Sequence, residues 1–442
     1  MTTAAMTKTD LHEVLRNGRQ GLATAASNRE WLGPVRQRGA EQLDRLPMPH
    51  RKQEAWRYTS TAFLEQQAYA AVVDGPFRAL QPSDIDDLLL DTATDRLVFV
   101  NGYFAPALSK AGSADNRVTL ATLGGGLADL PDTLKQRLDT IAAESHVFAA
   151  LNRALMSDGA MIRIAAGASV DRPIEILHVS VGRDEPGICH PRHLVLVDEG
   201  ASARVIERYV AIGDAQYFNN AVVEIDCAAG STLVHERLQE ESPAAQHLAD
   251  LHIRLGQGSH YRQVSASMGA AWSRTDVRLA FTGEGASAEF DGLILAGDRQ
   301  LNDVHLDVRH DVPGCTSREN FKGILDGRGR VVFDGRILVA RDAQLTDAQL
   351  SNHNLLLSRS AEVDTKPQLE IYADDVKCSH GTTVGELDHD MLFYLRSRGV
   401  PERQAKQMLC QGFANDVVSR FADASLQQRT EALLAKRLSQ AA

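Results

Sequence analysis

Apolar positions change period twice along this chain. Over the first ~155 residues they recur mainly at helical spacing. Leu11 to Ala25 reads as one helix and Trp31 to Leu46 as a second, anchored by Leu32, Val35, Leu43 and Leu46 and stopped by Pro47 and Pro49. Pro82-Ser83 opens a helical stretch through Leu90, and Leu134 to Leu155 returns to the same period. Between them, Leu97 to Val100 reads as a short strand followed by a turn at Asn101-Gly102. From about Met161 helical period disappears for more than two hundred residues. Short β-rich runs take over, such as Ile174 to Val181, His193 to Val197 and Val331 to Phe333. Past Leu387 helical period is restored. Pro401 marks a helix start, Leu409, Phe413, Val417 and Phe421 form a stripe at every fourth position, and a further helix covers Leu426 to Leu438.

Small-residue turns punctuate the strand region at Gly167, Gly200, Gly230, Gly258 and Gly285, at intervals of 33, 30, 28 and 27 residues. Drifting repetition of that kind suggests strands stacked in coils, a β-helix or solenoid. A sandwich or jelly roll gives a similar pattern. The long run of strands with almost no intervening helix favours the solenoid. Three domains follow: residues 1–155 mainly helical, 156–386 a β-helix core, and 387–442 helical. The stripe from Leu409 to Phe421 packs on its own domain or meets a partner protein, and spacing alone does not choose.

Composition narrows the function. The 442 residues carry 47 basic and 58 acidic side chains, a net charge of −11, which argues against a general nucleic-acid binder. No apolar run reaches the ~20 residues of a membrane span, and Met1 to Gln20 is too polar for a secretion signal, so the expectation is a cytoplasmic protein with no membrane partner. The five cysteines, at 189, 227, 315, 378 and 410, are widely spaced and odd in number, which suits neither a disulfide framework nor an iron–sulfur cluster held by this chain's thiolates alone. Cys410 reads as packing.

Nucleotide hydrolysis has no support, because no Gly-x-x-x-x-Gly-Lys-Ser/Thr loop occurs and Gly124-Gly-Gly126 lacks a following lysine. Cys189-His190-Pro-Arg-His193 reads as a surface loop, and His305, His310 and Cys315 as solvated or backbone-satisfied residues around a turn. Cys378-Ser-His380 is the notable pair. On an extended segment both side chains share one face, offering a thiol and an imidazole to iron, zinc or copper. Two ligands do not complete a site. The plain alternatives are a small buried cysteine and a turn histidine before Gly381.

The segment from Lys366 to Gly385 resembles the signature of the SufD-type scaffold subunits in the SufB/SufD family of iron–sulfur cluster assembly proteins. Supporting matches are Lys322 to Asp326, Gln344 to Asp347, Asn354 to Ser358, Phe393 to Gly399, Glu54 to Thr59, Val98 to Gly102 and Phe148 to Asn152. The resemblance implies a right-handed parallel β-helix flanked by helical domains. It implies a complex with SufB, joined through the β-helix cores, and with the ATPase SufC, docked on the C-terminal helical region that holds Leu409, Phe413, Val417 and Phe421. This chain would then be a scaffold without ATPase activity. A transient iron–sulfur cluster would form at the interface with SufB, His380 being the preferred ligand from this chain and Cys378 its neighbour. No permanent cofactor is implied for this chain alone, and the resemblance leaves open whether a flavin binds the complex. A secreted polysaccharide lyase, another frequent use of β-helices, would need a calcium-binding acidic groove and fits less well.

Overall fold

The structure, a computed structural model, describes residues 8–25, 29–73, 80–91, 95–111, 117–142 and 146–440. Its centre is a parallel β-solenoid. Successive strands alternate between two sheets, one of eleven strands and one of ten among the described residues, so each strand hydrogen-bonds the strand two places on. A parallel pair needs a crossover, and here the intervening strand of the opposite sheet supplies it. Ser287, Thr316, Asp347 and Lys377 therefore stand one above another in a single ladder. The corners are the glycine turns. Gly167, Gly200, Gly230, Gly258 and Gly285 have φ between 59° and 68°, the left-handed region that costs a residue without a Cβ least.

Alternation then fixes the interior. Every second side chain of both sheets faces the lumen, where Val223, Leu251, Phe281, Phe290, Val308, Phe333 and Leu350 belong to one buried cluster. The earlier coils carry polar groups in the same phase. Glu207, fully buried, lies 3.0 Å from His235 and 3.2 Å from Arg237, and His178 contacts His193 at 2.9 Å.

The two outer faces are covered by the chain ends. Helices Leu11–Thr24, Gly33–Arg45 and Val147–Leu155 pack with Trp56 on Phe218, Leu248 and Trp272 of the eleven-stranded sheet. Helices Glu402–Val418 and Ala424–Gln440 pack on Ile206, Leu238, Val264, Leu293 and Ile324 of the ten-stranded sheet. No helix among the described residues is long and apolar enough to cross a membrane.

Several sequence expectations need correction. The stretch from Pro82 to Leu90 is two single 3-10 turns, Pro82–Asp84 and Asp86–Leu88. Ile85 packs with Val98 and Leu177 while Leu90 joins Ile206 and Leu238, so burial into separate clusters overrides helical period. Leu134 to Leu155 divides into Asp132–Arg137 and Val147–Leu155, with residues 143–145 outside the described part. Cys189 to His193 is no surface loop. Strands Gly187–Cys189 and Arg192–Val197 are interrupted at Pro191, and every residue there is buried. Proline cannot donate to the ladder, and Asn152 from the overlying helix caps the break by donating to Pro191 O at 2.9 Å and Asn220 O at 2.8 Å.

Candidate metal centre at the open end of the solenoid

The two ends of the solenoid differ. At the N-terminal end the short antiparallel strands Tyr103–Phe104 and Val118–Thr122 close the sheets, and Phe104, Leu120 and Leu127 cover the lumen. At the C-terminal end, strands Glu362–Ile371 and Lys377–Glu386 each have a neighbour on one side only. Their other edges present unpaired backbone groups, the usual template for strand addition. Leu345, Tyr372 and Val384 are exposed at this end, at 64%, 63% and 48%.

Cys378 and His380 lie on the last of these strands, in register with Ala348 and Leu350, both buried lumen residues. The shared phase directs both side chains toward the lumen, as the i, i+2 spacing predicts. Cys378 is half-buried against the interior cluster, whereas His380 is exposed because no further coil covers it. Burial, with Asp347 and Glu319 nearby, raises the Cys378 thiol above its ordinary range. A metal would therefore have to displace the thiol proton to gain a thiolate. The remaining cysteines at 189, 227, 315 and 410 are all buried.

Sequence reasoning passed over a third group. Glu319 is 2% exposed, stands in the ladder column of Leu350 and His380, and neither of its carboxyl oxygens has a hydrogen-bond partner. The signal was present. In strand Thr316–Leu325 the buried positions Ser317, Glu319 and Phe321 alternate with half-buried Arg318, Asn320 and Lys322, so a charged residue occupies the apolar phase. His310, on the facing sheet, is neither solvated nor satisfied by backbone as the sequence suggested: it is fully buried with Nε2 3.0 Å from Ser317 Oγ, and burial pushes its pKa down to about 4.

Among the described residues, the one group of three side chains whose donor atoms lie close enough together to hold a metal is His146, Asp250 and Asp276, all buried. Its charges are already answered. Arg274 pairs with Asp276 at 2.9 Å, Arg278 pairs with Asp250, and His146 Nε2 lies 3.1 Å from Asp276. Two guanidiniums repel a cation, and the cluster instead fixes the helix Val147–Leu155, whose N-cap is His146, to the sheet.

In the C-terminal region, Val417 in helix Glu402–Val418 and Phe421 just after it are 0% and 4% exposed and pack on the solenoid, while Leu409 and Phe413 are half-buried. The Phe413 ring takes the Lys322 ammonium at 4.6 Å. Cys410, 1% exposed, is packing as expected. The apolar surface open to a partner comprises Met391, Phe393, Tyr394 and Met408, with Phe393 73% exposed.

Comparison with known proteins accounts for nearly the whole chain. Residues 179–413 match the family model described as SUF system FeS cluster assembly, SufBD core domain, and residues 7–176 match the SufBD protein N-terminal region. The chain is 36% identical to the iron–sulfur cluster assembly protein SufD of Escherichia coli K12, over 92% of this chain and 93% of that protein. It is 33% identical to a SufBD family protein of Synechocystis, covering 97% and 96% of the two chains. A chloroplastic protein of Arabidopsis thaliana, ABCI7, is 30% identical over 90% of this chain and 85% of its own. With a mainly β, parallel solenoid between helical ends and the Cys378-Ser-His380 segment on its last strand, this chain belongs to the SufBD family as a SufD-like iron–sulfur cluster assembly protein.

Proposed function

We propose that this chain is the non-ATPase scaffold subunit of a cytoplasmic SufB–SufC–SufD complex, and that a nascent cluster forms where its open solenoid end meets SufB. One observation carries the reading. Cys378 and His380 occupy lumen positions on a terminal strand that no further coil covers, so the site is half-built within this chain. A second solenoid end stacked there would satisfy both open edges, cover Tyr372 and Val384, and bring its own ligands to the other half. His380 supplies a neutral imidazole for iron and Cys378 a sulfur ligand beside it. The cluster is cargo, assembled and passed on. SufC, the ATPase of the complex, docks on the C-terminal helices. Their exposed surface at Met391, Phe393, Tyr394 and Met408 suits that contact better than Val417 and Phe421, which are used internally. ATP-driven closure of SufC would pull on this domain and strain the stacked interface.

Co-expression of this chain with SufB and SufC tests the reading. The three proteins should co-purify, and His380→Ala should leave that complex intact while abolishing cluster assembly in cells; Cys378→Ala should be the milder change. Purification of this chain alone from the mixture overturns the scaffold role. Full cluster assembly by His380→Ala overturns the ligand assignment.

A further inference from the structure

One corner of the solenoid departs from its own pattern at the open end. Along a single column, Gly167, Gly200, Gly230, Gly258, Gly285 and Gly314 have φ between 59° and 70°, and each donates its N–H to the carbonyl of the residue just before the next member of the column. The seventh member is Leu345, also at φ 59°, with its N–H on Asp375 O at 2.7 Å. The left-handed region suits glycine and disfavours a residue with a Cβ, most of all a bulky one. Packing does not compensate. A Cβ added at Gly167, Gly200, Gly258 or Gly285 meets nothing within 4 Å, so this corner directs side chains away from the solenoid into solvent. Leu345 is accordingly 64% exposed. Tyr372 begins the turn stacked on that of Leu345, its N–H on Val339 O at 2.9 Å, and is 63% exposed. A single exposed leucine is ordinary. A leucine held in a disfavoured backbone where six coils carry glycine, next to an exposed tyrosine, is an outlier of the kind that collects at binding sites.

We infer that Leu345 and Tyr372 anchor SufB to this chain by filling an apolar pocket on a part of SufB that overhangs the side of the last coils. The inference rests on the reading of the open end given above and adds a second contact to it. Direction decides the overhang. Strand addition engages edges that face along the solenoid axis, whereas the Leu345 side chain points outward from the corner, one coil beneath the terminal turn. A ladder step is about 4.8 Å, so a partner confined to the end face stays short of it. SufB is the occupant because the leucine stands only at the corner bordering the end where SufB stacks. The six corners farther from that end keep glycine. In sequence the pair is flanked by exposed charges, Asp342, Asp374 and Asp375 with Arg341 and Lys377, which matches an apolar interface core inside a polar rim. A tyrosine at the centre of such a patch is a frequent hot spot. The fixed backbone also sets the leucine in place before binding, which lowers the ordering cost of association.

Isothermal titration of purified SufB into the full-length chain, paired with thermal melting of the chain alone, tests the anchor. Leu345→Gly restores the residue of the other six corners, and Leu345→Asn keeps a side chain that tolerates the left-handed region. Both variants should melt no lower than the wild type and bind SufB at least tenfold more weakly. Tyr372→Ala should weaken binding to a similar degree. Unchanged SufB affinity in both Leu345 variants overturns the inference and leaves the end-to-end reading standing. A wild-type chain that does not bind SufB overturns both. A clear fall in the melting midpoint of both variants also overturns the inference, because the leucine would then serve the chain's own stability. Sedimentation of the chain alone covers the other occupant. Self-association that both Leu345 variants abolish, with SufB affinity unchanged, gives the corner to a second copy of this chain and overturns the choice of SufB.

Discussion

Replacing Glu319 with leucine should stabilise the metal-free chain, and the gain should depend on pH. Burial raises the Glu319 carboxyl from its ordinary value of 4.5 to about 8, with the neighbouring Ser317 hydroxyl and the Arg318 charge opposing only in part. The sign follows from linkage. An acid whose folded pKa lies above its unfolded value costs nothing below the unfolded pKa, where both states are protonated, and destabilises increasingly as pH rises toward the folded value. Each pH step between those two values adds about 1.4 kcal/mol, so the penalty is about 1 kcal/mol at pH 5, about 3 at pH 7 and about 4 at pH 8. Leucine carries no such penalty and buries apolar surface beside Phe290 and Leu350. Thermal unfolding of both chains in chelator, followed by circular dichroism at pH 5 and pH 8, should show the variant's advantage widening by about 3 kcal/mol. For a cooperative unit of 150–250 residues that is roughly 6–12 °C in midpoint. His310 is common to both chains, so its own titration largely cancels in the difference. An advantage that stays constant from pH 5 to pH 8 would refute the picture of a neutral carboxyl held in the lumen. A wild type more stable than the variant at pH 8 would show that Glu319 has a partner there.

Phe421→Ala should cost about 3–5 kcal/mol and release the C-terminal helices, seen as early proteolysis of that end, because Phe421 is 4% exposed against the solenoid. Phe393→Ala should change stability by less than about 0.5 kcal/mol yet weaken capture of SufC, a split that co-purification and melting read separately. Glu207→Ala should be among the most destabilising single changes, about 3–5 kcal/mol in denaturant titration, because it leaves Arg237 buried without its carboxylate. A cost below about 1 kcal/mol there would mean that water already screens the pair.

The solenoid was readable because a single physical requirement recurs. Each coil must turn within a few residues, and the glycines at 167, 200, 230, 258 and 285 supply the positive φ that the corners need. The Cys378–His380 pair was readable for an equally local reason, since period 2 places both on one face of any strand. Elements whose shape depends on distant contacts were harder. Nothing near Pro82 says that Ile85 and Leu90 will be buried in different clusters, and nothing near Pro191 says that Asn152 will cap its neighbours. The stripe from Leu409 to Phe421 marked a helix through Val417, but that helix ends at Val418 and Phe421 lies just beyond it. An apolar stripe looks alike whether it faces its own sheet or a partner, and the long-range fact that Ile206, Leu238 and Leu293 await it decides for Val417 and Phe421. Glu319 was overlooked because the phase of its strand becomes unambiguous only when Phe321 and Ser317 are known to face inward.

The asymmetry of the two ends carries the functional argument furthest. In a middle coil, the lumen positions of a strand are core, and core positions favour apolar residues of fitted shape. At the N-terminal end the chain uses two antiparallel strands and several apolar side chains to keep it so. At the C-terminal end the described residues provide no such cover, and the first four lumen positions of the last strand read Cys378, His380, Thr382 and Val384, only the last of them aliphatic. Exposed, parallel edges of this length invite unwanted strand pairing unless pairing is their purpose. Lumen geometry also imposes the division of labour. A second solenoid stacked on this end continues both sheets, turns these four positions into the middle of a longer lumen, and encloses whatever Cys378 and His380 hold. Any motion that separates the two ends then exposes that cargo without either chain having to unfold.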